Sequence, residues 1–318
     1  MTADLIRQTG ARLGFDRVGI AAAGPIARGD YLRRWLTLGR AGQMAYLYRN
    51  LDKRMDPSRM LPGARSIIVV AMSYRPAADQ ASRDAPTAAE GLGRIARYAW
   101  GRDYHEVLRE RLRRFVEHLR SEGKEPFDAR ICVDTAPIVE REIAEAAGIG
   151  WIGKNTLVLH ERLGSYLFLG EIITTLALEP DGPVANRCGS CTACLDACPT
   201  GALVEPHRMD ASRCISYLTI EHRGEIPDGF REPIGPWLYG CDVCQVVCPF
   251  NRKAPATREP AFAPRPPAPA VPPGQIEQWT LDDYRRATSG RAMRRANLEM
   301  LRRNARIVQR NIARDPSP

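Results

Sequence analysis

Cys188-Gly-Ser-Cys191-Thr-Ala-Cys194-Leu-Asp-Ala-Cys198-Pro199 is the stretch on which the reading of this chain turns. Its spacing, C-x2-C-x2-C-x3-C-P, is the one that holds [4Fe–4S] clusters in bacterial ferredoxins, where the fourth cysteine serves the other cluster of a pair. A second motif follows at Cys241, Cys244 and Cys248, ending in Pro249, and Cys214 stands 27 residues ahead of it. Eight of the nine cysteines therefore fall within the 61 residues 188–248. Zinc sites use two cysteine pairs separated by a longer loop, whereas three cysteines at steps of three suit a cuboidal cluster. A disulfide framework matches the number eight. The opening residues, however, lack the basic-then-apolar order of an export signal, and cytosolic thiols stay reduced. The spacing thus predicts two [4Fe–4S] clusters. One takes Cys188, Cys191, Cys194 and Cys248; the other takes Cys198, Cys214, Cys241 and Cys244.

Working outward, the 318 residues carry 46 Lys+Arg against 37 Asp+Glu, a net charge of +9, with 44% hydrophobic and 26% charged residues. Such a chain can bury a core, which excludes wholesale disorder. Its longest apolar runs, such as Ile67–Met72, stop far short of the ~18 residues a membrane span needs. The expectation is a cytoplasmic protein with no membrane partner. Residues 1–180 read as an α/β unit. An amphipathic helix through Leu5, Ile6 and Leu13 precedes a strand at Arg17–Ile20, and Ser66–Met72 reads as a buried central strand. His105–Glu122 has helical spacing, Ile131–Val133 is a short strand ending at Asp134, and Val139–Ala147 is helical again. Strands follow at Thr156–His160 and Tyr166–Leu178. Helices and strands mixed over this length fit a three-layer sandwich. Neither a GxGxxG turn after a strand nor a GxxxxGK[ST] loop is present, so no dinucleotide or P-loop site is supported. Cys132 reads as a buried core thiol.

The stretch between Cys214 and Cys241 is too long for a cluster loop. It reads either as a connecting helix or as a wall between the clusters and whatever they reduce. Beyond the cysteines, eight of the 22 residues 253–274 are proline, which predicts a linker running extended over the surface. Leu281–Pro318 then carries ten arginines and four acids, a net +6. Apolar residues at Ala292, Ala296, Leu298, Leu301, Ile307, Val308 and Ile312 suit a helical pair. The arginines form either a solvated face or a phosphate-binding surface. The divisions are a domain at 1–180, a cluster module at 181–252, a linker at 253–274 and a basic tail at 275–318.

Three further stretches make the order of features distinctive: Arg97–His105, Val133-Asp134-Thr-Ala-Pro137, and Gly150-Trp-Ile-Gly-Lys154-Asn155. With both cysteine motifs, Ser216–Glu221 and Gly240–Gln245, they resemble the epoxyqueuosine reductases in order over about residues 1–252. The resemblance implies a nitroreductase-like, cobalamin-binding α/β (α+β) domain, a ferredoxin-like two-[4Fe–4S] module and a short HEAT-like helical tail. It implies an oxidoreductase that turns the epoxide of epoxyqueuosine, at the wobble position of tRNA, into the alkene of queuosine. Cobalamin would be held base-off; the Asp-x-His-x-x-Gly motif that supplies a histidine to cobalt is absent. An external low-potential electron donor and a monomeric state are expected with it. By the same resemblance Asp134 is the proton donor, whose pKa would need raising in a pocket covered by the corrin and the substrate base, and Tyr104 and His105 stand beside it. The alternatives are an N-cap for Asp134 or Thr135 and a helix-entry role for His105. Arg97, Lys154, Asn155, Ser216, Cys241 and Asp242 are implied as cobalamin contacts, the Lys154 turn being equally readable as a structural loop. Arg223, Arg294, Arg295, Arg302 and Arg303 are the expected tRNA contacts. The full C-terminal repeat of longer family members is missing. The rivals are a plain two-cluster electron carrier, which needs no 180-residue domain, and a reductive dehalogenase-like cobalamin enzyme, which leaves the basic tail idle.

Overall fold

The computed structural model describes residues 1–77, 91–123 and 125–314, so the last four residues of the expected tail lie outside the described residues. Ser66–Ser73 is buried at all eight positions. It lies second in a four-stranded antiparallel sheet of order Arg17–Ala22, Ser66–Ser73, Leu167–Thr174, Ala129–Cys132. Side chains alternate across a strand. Ile68, Val70 and Met72 accordingly pack with Ile6 of the Ala3–Arg12 helix and with Leu108, Leu112 and Phe115 of the Tyr104–Glu122 helix. Ile67, Val69 and Ala71 face the other way, onto Ile143 and Ala144 of the Glu140–Ala146 helix. Helices on both faces explain why this strand shows no polar alternation. The three expected layers are present, and every strand pairing within this central sheet is antiparallel.

The start of one helix and the end of one strand meet at one edge of this unit. Asp103 caps the long helix by accepting from the His105 backbone N–H at 2.9 Å. The Ala129–Cys132 strand runs out into a loop where Asp134 has φ +53°, the left-handed region that aspartate tolerates better than most residues.

A second core joins parts that the sequence divisions kept apart. Ile95, Trp100, Ile215, Leu218, Trp237 and Tyr239 pack in one cluster with Val271, Ile276, Met293, Leu301 and Val308. The helical tail (Leu281–Thr288 and Leu298–Arg314) and the middle of the cluster module therefore share a core. The expected surface linker is corrected by the same packing. Ala270–Val271 pairs antiparallel with Gly93–Ile95, and Ile95 N–H donates to Pro269 O at 3.0 Å. Phe262 is buried against Phe168 of the central sheet. Proline removes only its own N–H, and an edge strand flanked by prolines is allowed. Residues 253–274 form a strap, not a free linker.

Candidate active site and cluster module

Asp134, Tyr104 and His105 meet where the left-handed loop faces the start of the long helix. His105 is held between two carboxylates: Nδ1 is 2.7 Å from Asp103 Oδ1 and Nε2 is 3.0 Å from Asp134 Oδ2. Tyr104 stacks on the His105 ring at 4.1 Å and on Phe168 at 4.3 Å, which fixes its direction. Half of the Asp134 side chain remains exposed, so it is the member of the group that a ligand can reach. The helix after the loop begins at Glu140 with Val139 as its cap residue and no side-chain cap bond, so neither Asp134 nor Thr135 caps it.

The electrostatics set the resting charges of this group. Burial alone would raise Asp134, but the hydrogen bond and charge of His105, with help from Tyr104 and Arg295, outweigh it and hold the carboxyl below its usual range. Burial would lower His105; its bonds to Asp103 and Asp134 reverse this and push it up to about 9. At neutral pH the proton therefore rests on His105, and Asp134 is its ionised partner.

The cysteines fall into two groups of electrostatic neighbours. Cys194 feels Cys188, Cys191 and Cys248, whereas Cys241 feels Cys214 and Cys244, and Cys244 feels Cys214 first and then both Cys194 and Cys198, where the two groups adjoin. These are the two foursomes read from the spacing. None is in a disulfide. Among the described residues no three His, Cys, Asp or Glu converge as they would on a single metal ion; a cubane takes its thiolates at separate corners instead. Burial, then neighbouring sulfur charge, pushes Cys194 up to about 11 and Cys244 higher still. Iron would reverse that penalty, since a coordinating thiol is deprotonated outright.

Several expected cofactor contacts already have protein partners. Asp242 is 1% exposed; it accepts from the Arg97 backbone N–H at 2.8 Å and lies 3.5 Å from its guanidinium. Arg97 also donates to the Tyr166 hydroxyl at 2.8 Å. Asn155, 4% exposed, accepts from the Leu157 N–H. Lys154 Nζ donates to the carbonyls of Gly189 and Cys191, at 2.7 and 2.9 Å, and so braces the first cysteine loop. These bonds fix the directions of the four side chains, while the Lys154 ammonium and the Asn155 amide nitrogen carry N–H groups beyond the bonds named here. Ser216 and Cys241 keep partial exposure. The Ser216 N–H and hydroxyl both point at the Cys214 sulfur.

The tail separates into used and free arginines. Arg303, 4% exposed, donates to the carbonyls of His222, Gly224 and Leu218 at 2.6–2.8 Å. Its neighbour Asn304 donates to Thr219 O and Leu238 O. Arg302 donates to Trp279 O at 2.6 Å. Arg303 is thus buried as a brace on one carbonyl of the Ile215–Ile220 helix, at the end where a cation is favoured, and on two carbonyls of the loop that follows it, not presented to a tRNA. Arg302 is likewise bound within the fold. Arg223 and Arg294 are exposed. Arg295 is half exposed; it makes a bidentate pair with Glu221 and lies 5.3 Å over the Tyr46 ring.

Sequence reasoning missed Arg306 and Arg310, which are exposed one turn apart on the Leu298–Arg314 helix. A helical wheel finds them: Leu301, Ala305 and Val308 make the buried stripe, and Arg303 falls beside Met300 and Ile307. It also missed Glu140, which accepts the Asp134 N–H, and Glu171, whose signal was a lone acid inside the apolar strand Leu-Phe-Leu-Gly-Glu-Ile-Ile-Thr.

Comparisons with known proteins bear on this geometry. The family model for epoxyqueuosine reductase QueG matches residues 54–135, which include Asp103, His105 and Asp134. A model for a 4Fe-4S double cluster binding domain matches residues 187–251, all eight grouped cysteines. The chain is 42% identical over 306 residues to the epoxyqueuosine reductase of Pseudomonas aeruginosa, covering 96% of this chain and 84% of that one. It is also 42% identical to that of Escherichia coli, covering 92% and 76%. A crystal structure of epoxyqueuosine reductase with a tRNA-Tyr epoxyqueuosine-modified stem loop superposes with a TM-score of 0.89 at 35% identity, covering 97% of this chain and 81% of that chain. The Bacillus subtilis enzyme, described with the Asp134 catalytic loop swung out of its active site, superposes at 0.88 and 33% identity, covering 97% and 81%. Matched at this identity over nearly its whole length, the chain belongs to the epoxyqueuosine reductase family.

Proposed function

We propose that this chain reduces the epoxide of epoxyqueuosine in tRNA to the alkene of queuosine, with electrons delivered by two [4Fe–4S] clusters. The observation that carries the proposal is the Asp103–His105–Asp134 array, set half exposed beside a double-cluster module in a chain of this family. The reaction takes two electrons and two protons and releases the epoxide oxygen as water. Cobalamin, as the resemblance implies, would supply the second redox centre that joins two single-electron transfers.

The chain's own residues handle the protons. His105 stores one at Nε2, 3.0 Å from Asp134 Oδ2. A bound base that excludes water raises Asp134, and the proton then moves onto the carboxyl that faces the substrate oxygen. Tyr104, clamped by its two stacked rings, keeps the pair from rotating away. The tRNA backbone is met by the exposed arginines Arg223, Arg294, Arg306 and Arg310. Arg295 reaches toward Asp134 from the tail and places that surface next to the chemistry. As a test, anaerobically reconstituted protein is given cobalamin, a strong reductant and epoxyqueuosine-containing tRNA, and nucleosides are read by mass spectrometry. Queuosine is expected. Its absence with both clusters loaded overturns the proposal.

A further inference from the structure

Behind Asp134 lies a carboxyl pair for which the proposed reaction has no part. Glu171 stands in the centre of the four-stranded sheet, opposite Val69 on one neighbour and Cys132 on the other, with no solvent exposure. Neither of its oxygens meets a donor from any group in its usual ionisation state among the described residues. What faces it is the Glu140 carboxyl, at hydrogen-bonding range. Glu140 in turn accepts the backbone N–H of Asp134, the residue in the left-handed conformation.

Two ionised carboxylates have no hydrogen between them and repel, and a buried charge without a partner is costly. One proton resolves both problems. We propose that Glu140 and Glu171 share a single proton and act as positioning residues, Glu171 donating to Glu140 and Glu140 holding the Asp134 loop through its N–H. The pair is thereby a clamp of fixed charge, −1 in total, set against the back of the proposed proton donor. The inference rests on the reading of Asp134 as the proton-handling carboxyl.

The surroundings agree with one proton. Burial first, and the neighbouring carboxylates second, push both glutamates up. Among the described residues the charged or titratable groups around the pair are Asp134 from the loop, Tyr104 and His105 from the long helix, Arg141 from the following helix, and Cys132 from the adjacent strand. Cys132 is itself pushed up to about 12, chiefly by burial and then by Glu171, and stays a neutral thiol. His105 sets a positive charge against Glu140 from the Asp134 side, so the pair's single negative charge also favours the protonated imidazole.

The test has one readout that needs no turnover. Infrared spectra of the parent protein at pH 8, with and without glutamate carrying a 13C carboxyl, should show a protonated-acid carbonyl band that moves with the glutamate label. Absence of a glutamate acid band overturns the proposal. In turnover, Glu171→Gln keeps a donor toward Glu140 and Glu171→Leu does not. At matched cluster content, E171Q is expected to retain at least ten times the kcat of E171L, with KM for tRNA the same in both. Equal kcat in the two variants overturns the shared proton. Asp134→Asn serves as the separate arm: full turnover there removes the reading of Asp134 itself, whatever the glutamates do.

Discussion

The two cysteine foursomes are alike in number and differ in setting. The first is drawn from a loop in which residues 183–187 and Cys191 are exposed, and its apolar support is the small cluster of Trp151, Leu159 and Phe250. The second grows out of the main C-terminal core: Cys214 opens the buried Ile215–Ile220 helix, and Cys241 follows the buried Trp237–Tyr239 strand. Next to it the Arg97–Asp242 pair ties the module to the residues before Tyr104. The first foursome is thus the outer and more open one, and the second is the inner one, walled in beside the site.

The largest effect separates the two foursomes directly. Cys241→Ala should abolish turnover with any reductant. Cys191→Ala should abolish it with a protein donor yet leave part of it with a small chemical reductant, which reaches the inner cluster unaided. Loss of equal extent in both assays breaks the inner–outer distinction. Next, Arg303→Met leaves the three carbonyls of Leu218, His222 and Gly224 without their donor. We expect about 3 kcal/mol of lost stability in denaturant unfolding and iron lost from the inner cluster before the outer one.

A smaller effect follows pH. The folded-state value of His105 is raised from 6.5 to about 9. Its bridge therefore contributes stability in full below pH 6.5 and loses it as pH rises through about 9. Relative to His105→Gln, the parent should be about 1–2 kcal/mol more stable at pH 6, discounted for the half-exposed Asp134, and equal to it at pH 10. Smallest is Ser216→Ala, which removes a hydroxyl hydrogen bond to Cys214. Hydrogen bonds to cluster sulfurs favour the reduced state, so the inner potential should fall by about 30 mV while the outer one stays.

What was legible in the sequence was what covalent spacing enforces. Cysteine steps of three and four are local, so both foursomes could be read before any fold was known. Ser66–Met72 announced a strand covered on both faces because no polar residue interrupts it. The failures share a cause: a side chain's partner lies far away along the chain. Nothing near Arg303 says that its guanidinium ends on carbonyls 79–85 residues earlier. Nothing near Asp242 in the sequence says that it is held by Arg97, 145 residues away. The prolines of 253–274 argued correctly against a central strand, but Ala270 and Val271 kept their N–H groups and completed an edge. Asp134 was placed at the site, but its resting charge was not legible, because the charge that sets it belongs to His105 on another element.

The opening net charge of +9 is likewise sharpened by position. Part of the arginine excess in the tail is structural and braces the inner cluster's walls. The remainder is a short exposed surface running past Arg306 and Arg310 toward Arg295 and the site.

The most direct measurement is queuosine formation from epoxyqueuosine-containing tRNA, comparing the parent with Asp134→Asn at equal cluster content and equal tRNA occupancy. The parent should convert the nucleoside and the variant should not. Conversion at the same rate by both, or by neither, would contradict the assignment of the proton-handling site.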